Sequence, residues 1–297
     1  RPGKRSVASL DAAHKALATG NPEGAAEFFR NALTRKPADE PLRIALALAL
    51  LATGEYADAE TTLAATGKAG APQNPRLRLH AHLRTLRGDY AGAEALLGQA
   101  IARDATDMAA HGQRLALWIT RGRGSERAAR AAMDALYDAY DAGKARDADA
   151  LIAVAQAALA RGSSGAFHDA NMVLGEAEKL PIQDTQEPGF ARKDRVLLLR
   201  GAVFRTKYAA DEAVASYAEI LQRDAWHADA HAGVAAAYLD QLNLAGASQA
   251  AETALDTNPH HPDAHAILAR VAVVEGRRAE AVERVTSKVL AVHPHHP

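Results

Sequence analysis

The chain contains no cysteine, which excludes disulfide bonds, Cys-ligated zinc and thiol nucleophiles from its chemistry. Aromatic residues make up only 5% of the 297 residues, and the formal net charge is -1. A surface that binds nucleic acid or anionic lipid usually carries a basic excess, and none is visible. No apolar run approaches the roughly 18 residues that a membrane span needs, since the longest covers only residues 44–52. We therefore expect neither nucleic-acid binding nor a membrane span in this segment.

Alanine and other hydrophobic residues are abundant. Hydrophobic residues form 48% of the chain, enough for a sizeable core, and charged residues form 24%. A chain rich in alanine and poor in aromatics favours helices that pack closely through small side chains. The composition therefore favours closely packed helices, and the all-α fold class is predicted from the repeat described next.

A pattern returns along the chain at a fixed period. Gly20, Gly54 and Gly88 are each 34 residues apart, and Gly122 continues the series. Each glycine follows one amphipathic segment and precedes another, where a left-handed residue can end a helix. Five residues after this place stands a small residue that would let two antiparallel helices approach: Ala25, Ala59, Ala93, Ala213, Ala247 and Ala281. Four residues later a large apolar residue follows in many units: Phe29, Leu63, Leu97, Tyr217 and Val285.

This period and pattern resemble those of the tetratricopeptide repeat (TPR) family, in which Tyr56, Tyr90, Tyr238 and Gly201 also find counterparts. The resemblance implies a right-handed superhelical solenoid of antiparallel helix pairs, with about eight repeats and the first helix of each pair lining a concave groove. The units run over residues 6–39, 40–73, 74–107, 108–147, 148–193, 194–227, 228–261 and 262–295. The fourth and fifth are irregular. We expect repeats one to five over residues 6–181, an irregular loop over 182–193, and repeats six to eight over 194–295.

The resemblance also implies which residues face a bound partner. They occupy groove places on the first helices: His14, Leu48, Arg78, His82, Gln156, Arg205 and Arg270. The arginines could anchor carboxylates of a ligand, or they could be solvated helix positions. The apolar groove residues could contact a peptide, pack against each other or pack against an adjacent domain. The lysine and asparagine set with which some family members hold a C-terminal carboxylate is missing.

Other chemistry finds little support. His260, His261 and His265, with His293, His295 and His296, could suggest a metal site, but they fit polar turns between units better. Arg121, Arg123, Arg127 and Arg130 lie close together, but acidic residues follow them, which favours a salt-bridged helix face over phosphate binding. No Walker loop, nucleophile elbow or dinucleotide motif occurs.

The sequence thus predicts a protein-protein interaction scaffold that binds a protein or peptide, is not an enzyme, and uses no cofactor or metal. The alternative is the non-catalytic repeat region of a larger multidomain enzyme that continues after Pro297, because both ends resemble cut points. Self-association, or contact with a downstream domain of the same chain, is a further possibility for the partner. The composition hints at a bacterial source, and the compartment is left open because a signal sequence could precede Arg1.

Overall fold

The structure is a computed structural model that describes residues 8–65, 73–162, 165–180 and 192–294. Within these ranges the chain forms sixteen α-helices and no β-strand, and a short π-helical turn, Val285–Val289, extends the last helix. The helices are α1 Leu10–Ala18, α2 Pro22–Arg35, α3 Glu40–Thr53, α4 Tyr56–Ala64, α5 Asn74–Leu86, α6 Tyr90–Arg103, α7 Met108–Thr120, α8 Arg127–Asp141, α9 Ala148–Arg161, α10 Ala166–Lys179, α11 Arg192–Thr206, α12 Ala210–Leu221, α13 Ala228–Asp240, α14 Leu244–Thr257, α15 Pro262–Val274 and α16 Arg278–Arg284.

The helices form eight antiparallel pairs, which confirms the predicted solenoid of helical repeats. From the second unit onward, each first helix begins at the first residue of its predicted unit, except that α11 begins two residues earlier, at Arg192. Most of the predicted irregular loop 182–193 lies outside the described residues, so the division of the chain at that loop stays a prediction.

The ends of the helices follow from local side-chain chemistry. Asp39, Asp89 and Asp107 each accept a hydrogen bond from the backbone N–H three residues later, at the start of α3, α6 and α7. Such an N-cap contributes about 1 kcal/mol, because it satisfies a backbone donor that has no partner inside the helix. At the fifteenth place of every unit, where the first helix ends, φ is positive in Gly20, Gly54, Gly88, Gly122, Gly162, Tyr208, Leu242 and Gly276.

Alanines fill the contact between the two helices of a pair. Ala25, Ala59, Ala93, Ala213 and Ala247 are completely buried, as the repeat pattern predicts. Successive first helices also pack on one another, from α3 to α15, whereas each second helix packs chiefly on the first helices of its own and the next pair. The stack therefore curves, with the first helices on its concave side.

Units one and two also contact units six and seven, which lie about one superhelical turn further along. A Cβ on Gly20 would lie 2.4 Å from Asp224 Oδ1, and a Cβ on Gly54 would lie 2.1 Å from Asn258 Oδ1. Asn258 Nδ2 donates a buried hydrogen bond of 2.9 Å to the Tyr56 hydroxyl. Glycine is therefore needed at these two places for close approach as well as for its positive φ.

Unit eight makes the third contact of this series. His293, which is completely buried, lies with its ring edge-on to Tyr56 at a centroid distance of 4.9 Å. Its Nδ1 is 2.6 Å from the carbonyl oxygen of Leu86 in unit three. We call these contacts the inter-turn interface, formed by Gly20, Gly54, Tyr56 and Leu86 on one side and Asp224, Asn258 and His293 on the other. Through it the superhelix closes on itself.

No helix in the described ranges has both the length and the apolar character that crossing a bilayer requires.

Candidate binding surface on the concave side

Charged side chains from units that are not sequence neighbours meet on the concave side. Arg78 Nη1 on α5 is 3.1 Å from Asp107 Oδ1 and 3.7 Å from Asp149 Oδ2, and Asp149 also pairs with Arg195 on α11. Units three, five and six can be linked in this way only where the curvature shortens the distance between them. The two arginines and the two aspartates compensate each other's charge.

Further along the same side, Asp229 remains accessible. Its side chain is 50% exposed, and its Oδ1 accepts a 2.9 Å hydrogen bond from Nε2 of His261. Desolvation would raise the pKa of Asp229, but the hydrogen bond from His261 and the charge of that ring hold it well below its ordinary value. Asp229 is therefore a fixed and fully ionised carboxylate at neutral pH.

His82 on α5 lies on the opposite wall. Its side chain is exposed, and its pKa is lowered by desolvation on the concave side and then by the charge of Arg195, whereas Asp229 raises it. His82 is thus neutral at pH 7 and can donate one hydrogen bond and accept another. A polar pair drawn from units three and seven therefore faces the enclosed space.

The sequence-predicted groove residues do not all remain available to a partner. His82 and Arg270 are exposed, whereas Gln156 is half-buried. His14 is also half-buried and lies with its ring 5.1 Å from that of Phe29. Leu48 is buried. Leu48 therefore packs within the protein, and which of the other groove places contact a partner stays a prediction.

Two of the three predicted anion anchors already have carboxylate partners in the chain. Arg78 pairs with Asp107 and Asp149, and Arg205 Nε is 2.8 Å from Asp240 Oδ2. Sequence reasoning did not select Asp149 as a site residue. The signal was available, because Asp149 occupies the second place of its unit, as Arg195 and Asp229 do in theirs.

The candidate metal and phosphate sites have structural partners instead. His261 Nδ1 accepts the Ala264 N–H at the start of α15, and His265 Nε2 lies 2.9 Å from the Pro259 carbonyl oxygen. Across the described part of the chain, no group of three or more His, Asp or Glu residues could hold a metal ion, and His295 and His296 lie outside it. Arg123 pairs with Glu94 on α6 and with Glu126, and Asp134, one of the acidic residues that follow the basic run, pairs with Arg161 on α9.

Comparison with known proteins agrees with the fold. Residues 16–83 and 207–271 match the family model of the tetratricopeptide repeat, whereas the irregular fourth and fifth units lie outside the match. No curated protein sequence matches the chain. The fold and the family match define the class as a helical repeat protein. The two matched stretches are tetratricopeptide repeats, and the helix pairs between them have the same fold.

Several solved structures share this fold at low sequence identity. A monomeric IFIT1 mutant with m7Gppp-AAAA is 14% identical, with a TM-score of 0.53, over 81% of this chain and 57% of that one. The Cut9-Hcn1 hetero-tetramer of the APC/C is 14% identical, with a TM-score of 0.50, over 97% of this chain and 54% of that one. A tetratricopeptide repeat protein from Parabacteroides merdae is 13% identical, with a TM-score of 0.48, over 92% of this chain and 97% of that one. At these identities the likeness concerns the fold alone.

Proposed function

We propose that this protein is an interaction scaffold that binds a basic peptide segment of a partner on its concave side, between Asp229 and His82. The observation that carries the proposal is the accessible, ionised carboxylate of Asp229, held in place by His261 inside the curve of the solenoid. Proteins with tetratricopeptide repeats are typically non-catalytic and commonly bind proteins or peptides, which supports a binding role over a chemical one.

Two arginines of the concave side are not free to bind an acidic ligand. Arg78 and Arg195 are neutralised by Asp107 and Asp149, and an acidic ligand would have to displace these carboxylates. The lowered pKa of His82 keeps a positive charge off the opposite wall. A lysine or arginine side chain could instead pair with Asp229 in an enclosed place, where such a bond is stronger than on an open surface.

Selection from a library of random peptides, followed by calorimetry on the selected peptides, tests this proposal. The selected peptides should be rich in lysine or arginine. Asp229→Asn should weaken their binding about tenfold or more, because a hydrogen bond to a charged group contributes about 1.5–3 kcal/mol. His82→Ala should weaken it as well.

Asp138→Asn supplies the control, since Asp138 is an exposed aspartate on α8, the second helix of its pair. This variant should bind the selected peptides with the affinity of the unmodified protein. Peptides without a basic residue, or equal affinity for the Asp229 and Asp138 variants, would reject the proposed site. The same selection with single-stranded RNA should give no ligand that competes with the peptides.

A further inference from the structure

Two of the eight turns between paired helices depart from glycine. Six of these turns place glycine at positive φ, but Tyr208 has φ 58° and Leu242 has φ 60°. A residue with a Cβ is strained in the left-handed region. The positive φ closes the helix ends, because the N–H groups of Ala209 and Asn243 donate to the carbonyl oxygens of Phe204 and Tyr238. The two side chains, however, gain no burial within the chain: Tyr208 is 95% exposed and Leu242 is 73% exposed. Backbone strain at an unburied apolar residue points to a contact outside the chain.

The two turns lie side by side. Arg205 Nε, at the end of α11, is 2.8 Å from Asp240 Oδ2 at the end of α13. Gln241 Nε2 donates a 3.1 Å hydrogen bond to Asp211 Oδ1 at the start of α12. These two contacts fix Tyr208 and Leu242 on neighbouring turns of units six and seven.

Unit eight extends the apolar surface along the same edge. Val273 and Val274 end α15, the first helix of that unit, and both are more than half exposed. We call Tyr208, Leu242, Val273 and Val274 the turn ridge. Its four side chains expose on the order of 400 Å² of mainly apolar surface, the size of patch that is often functional on a monomer.

The turn ridge does not fit the contact by which one superhelical turn packs on the next. The same edge in units one and two is covered by units six and seven, and that contact requires glycine at positions 20 and 54. Tyrosine and leucine at the equivalent places leave no room for a further superhelical turn packed in the same way. A surface that binds the turn ridge must therefore have room for the side chains of Tyr208 and Leu242.

We propose that the turn ridge is the centre of a twofold-symmetric interface with a second copy of this chain. The area fits, because two ridges supply about half of the roughly 1,600 Å² buried in a standard interface, and the polar residues around them can supply the rim. The charges beside the ridge do not oppose the contact, because Arg277 already pairs with Glu275 and Glu280 within each chain. A net charge of -1 opposes association little.

Sedimentation equilibrium of the full chain, from nanomolar to about 200 µM, tests the proposal. The protein should dimerise, and the double variant Tyr208→Gly, Leu242→Gly should raise the dissociation constant at least 100-fold. Glycine is the residue of the other six turns, so this variant should also be more stable as a monomer. Below the dissociation constant its melting temperature should rise by about 2–4 °C per substitution, as relief of left-handed strain implies.

A second variant, Tyr208→Asn with Leu242→Asn, should lose the dimer too, because asparagine tolerates positive φ but adds no apolar area. Met172→Ala removes an exposed apolar residue of α10, away from the ridge, and should leave the dimer intact. A protein that stays monomeric at 200 µM, or a dimer that survives both ridge variants, would overturn the proposal. Neither result would bear on peptide binding at Asp229, which is measured separately.

Discussion

Replacing Gly54 with alanine tests the inter-turn interface, and Gly276→Ala is its matched control. Both glycines occupy the fifteenth place of their unit with similar φ, +78° and +83°. A Cβ on Gly276 meets no atom within 4 Å, so this variant should cost only the left-handed strain, about 1–2 kcal/mol. A Cβ on Gly54 would lie 2.1 Å from Asn258 Oδ1, so Asn258 must move and release Tyr56. The lost buried hydrogen bond adds about 1–3 kcal/mol.

Urea unfolding of the two variants under identical conditions measures the difference. Gly54→Ala should be the less stable variant by about 1–3 kcal/mol, the share of the hydrogen bond. Adding Asn258→Ala to Gly54→Ala removes the oxygen that the new Cβ meets, so the double variant should cost less than the sum of its single changes. Equal stabilities for Gly54→Ala and Gly276→Ala, with additive effects at Gly54 and Asn258, would refute the contact.

Three further predictions concern the core and the concave side. Ala93→Leu overpacks a completely buried contact between paired helices and should cost about 1–3 kcal/mol in urea unfolding, and an unchanged midpoint would contradict the pairing of α5 with α6. Glu40→Gln removes the carboxylate that lies 2.9 Å from the buried guanidinium of Arg76, and should destabilise the protein by about 3 kcal/mol, whereas a loss below 1 kcal/mol would show that water reaches the pair. The pKa of His261 is raised by Asp229, against the effect of desolvation, so Asp229→Asn should lower it in an NMR titration, and an unchanged pKa would rule out the ion pair.

The sequence predicted the parts of the fold that depend on neighbouring residues. The 34-residue period located the first helices, and the small residues Ala25, Ala59 and Ala93 identified the buried contacts within pairs. These features repeat with the period because each unit packs on the next in the same way. The residues that make this contact therefore stand at the same places in most units.

The inter-turn interface could not be predicted in this way. Whether Tyr56 meets Asn258 depends on small rotations summed over five units, and on the insertions in units four and five. The ion pairs of the concave side also depend on the curvature that these rotations produce. Nothing in the spacing of Arg78 and Asp149 shows that a curve brings them within 3.7 Å.

Part of the turn ridge could have been predicted from the sequence. Tyr208 and Leu242 stand at the fifteenth place of their units, where the pattern has glycine, and the departure from glycine is the signal. The structure adds two observations to this departure from glycine: φ remains positive at both residues, and both side chains are exposed. An exposed residue with negative φ would carry no backbone strain.

Disulfide formation between units two and seven tests the closure of the superhelix most directly, since the chain has no cysteine of its own. A Cβ on Gly54 would lie 3.5 Å from the Cβ of His260, within the range of a disulfide. In a chain with Gly54→Cys, His260→Cys and Asn258→Ala, the last change making room for the new Cβ, mild oxidation at low protein concentration should give an intramolecular bridge, seen by mass spectrometry as the loss of two hydrogens. Two thiols that stay free, while the protein remains folded, would contradict a superhelix closed on itself.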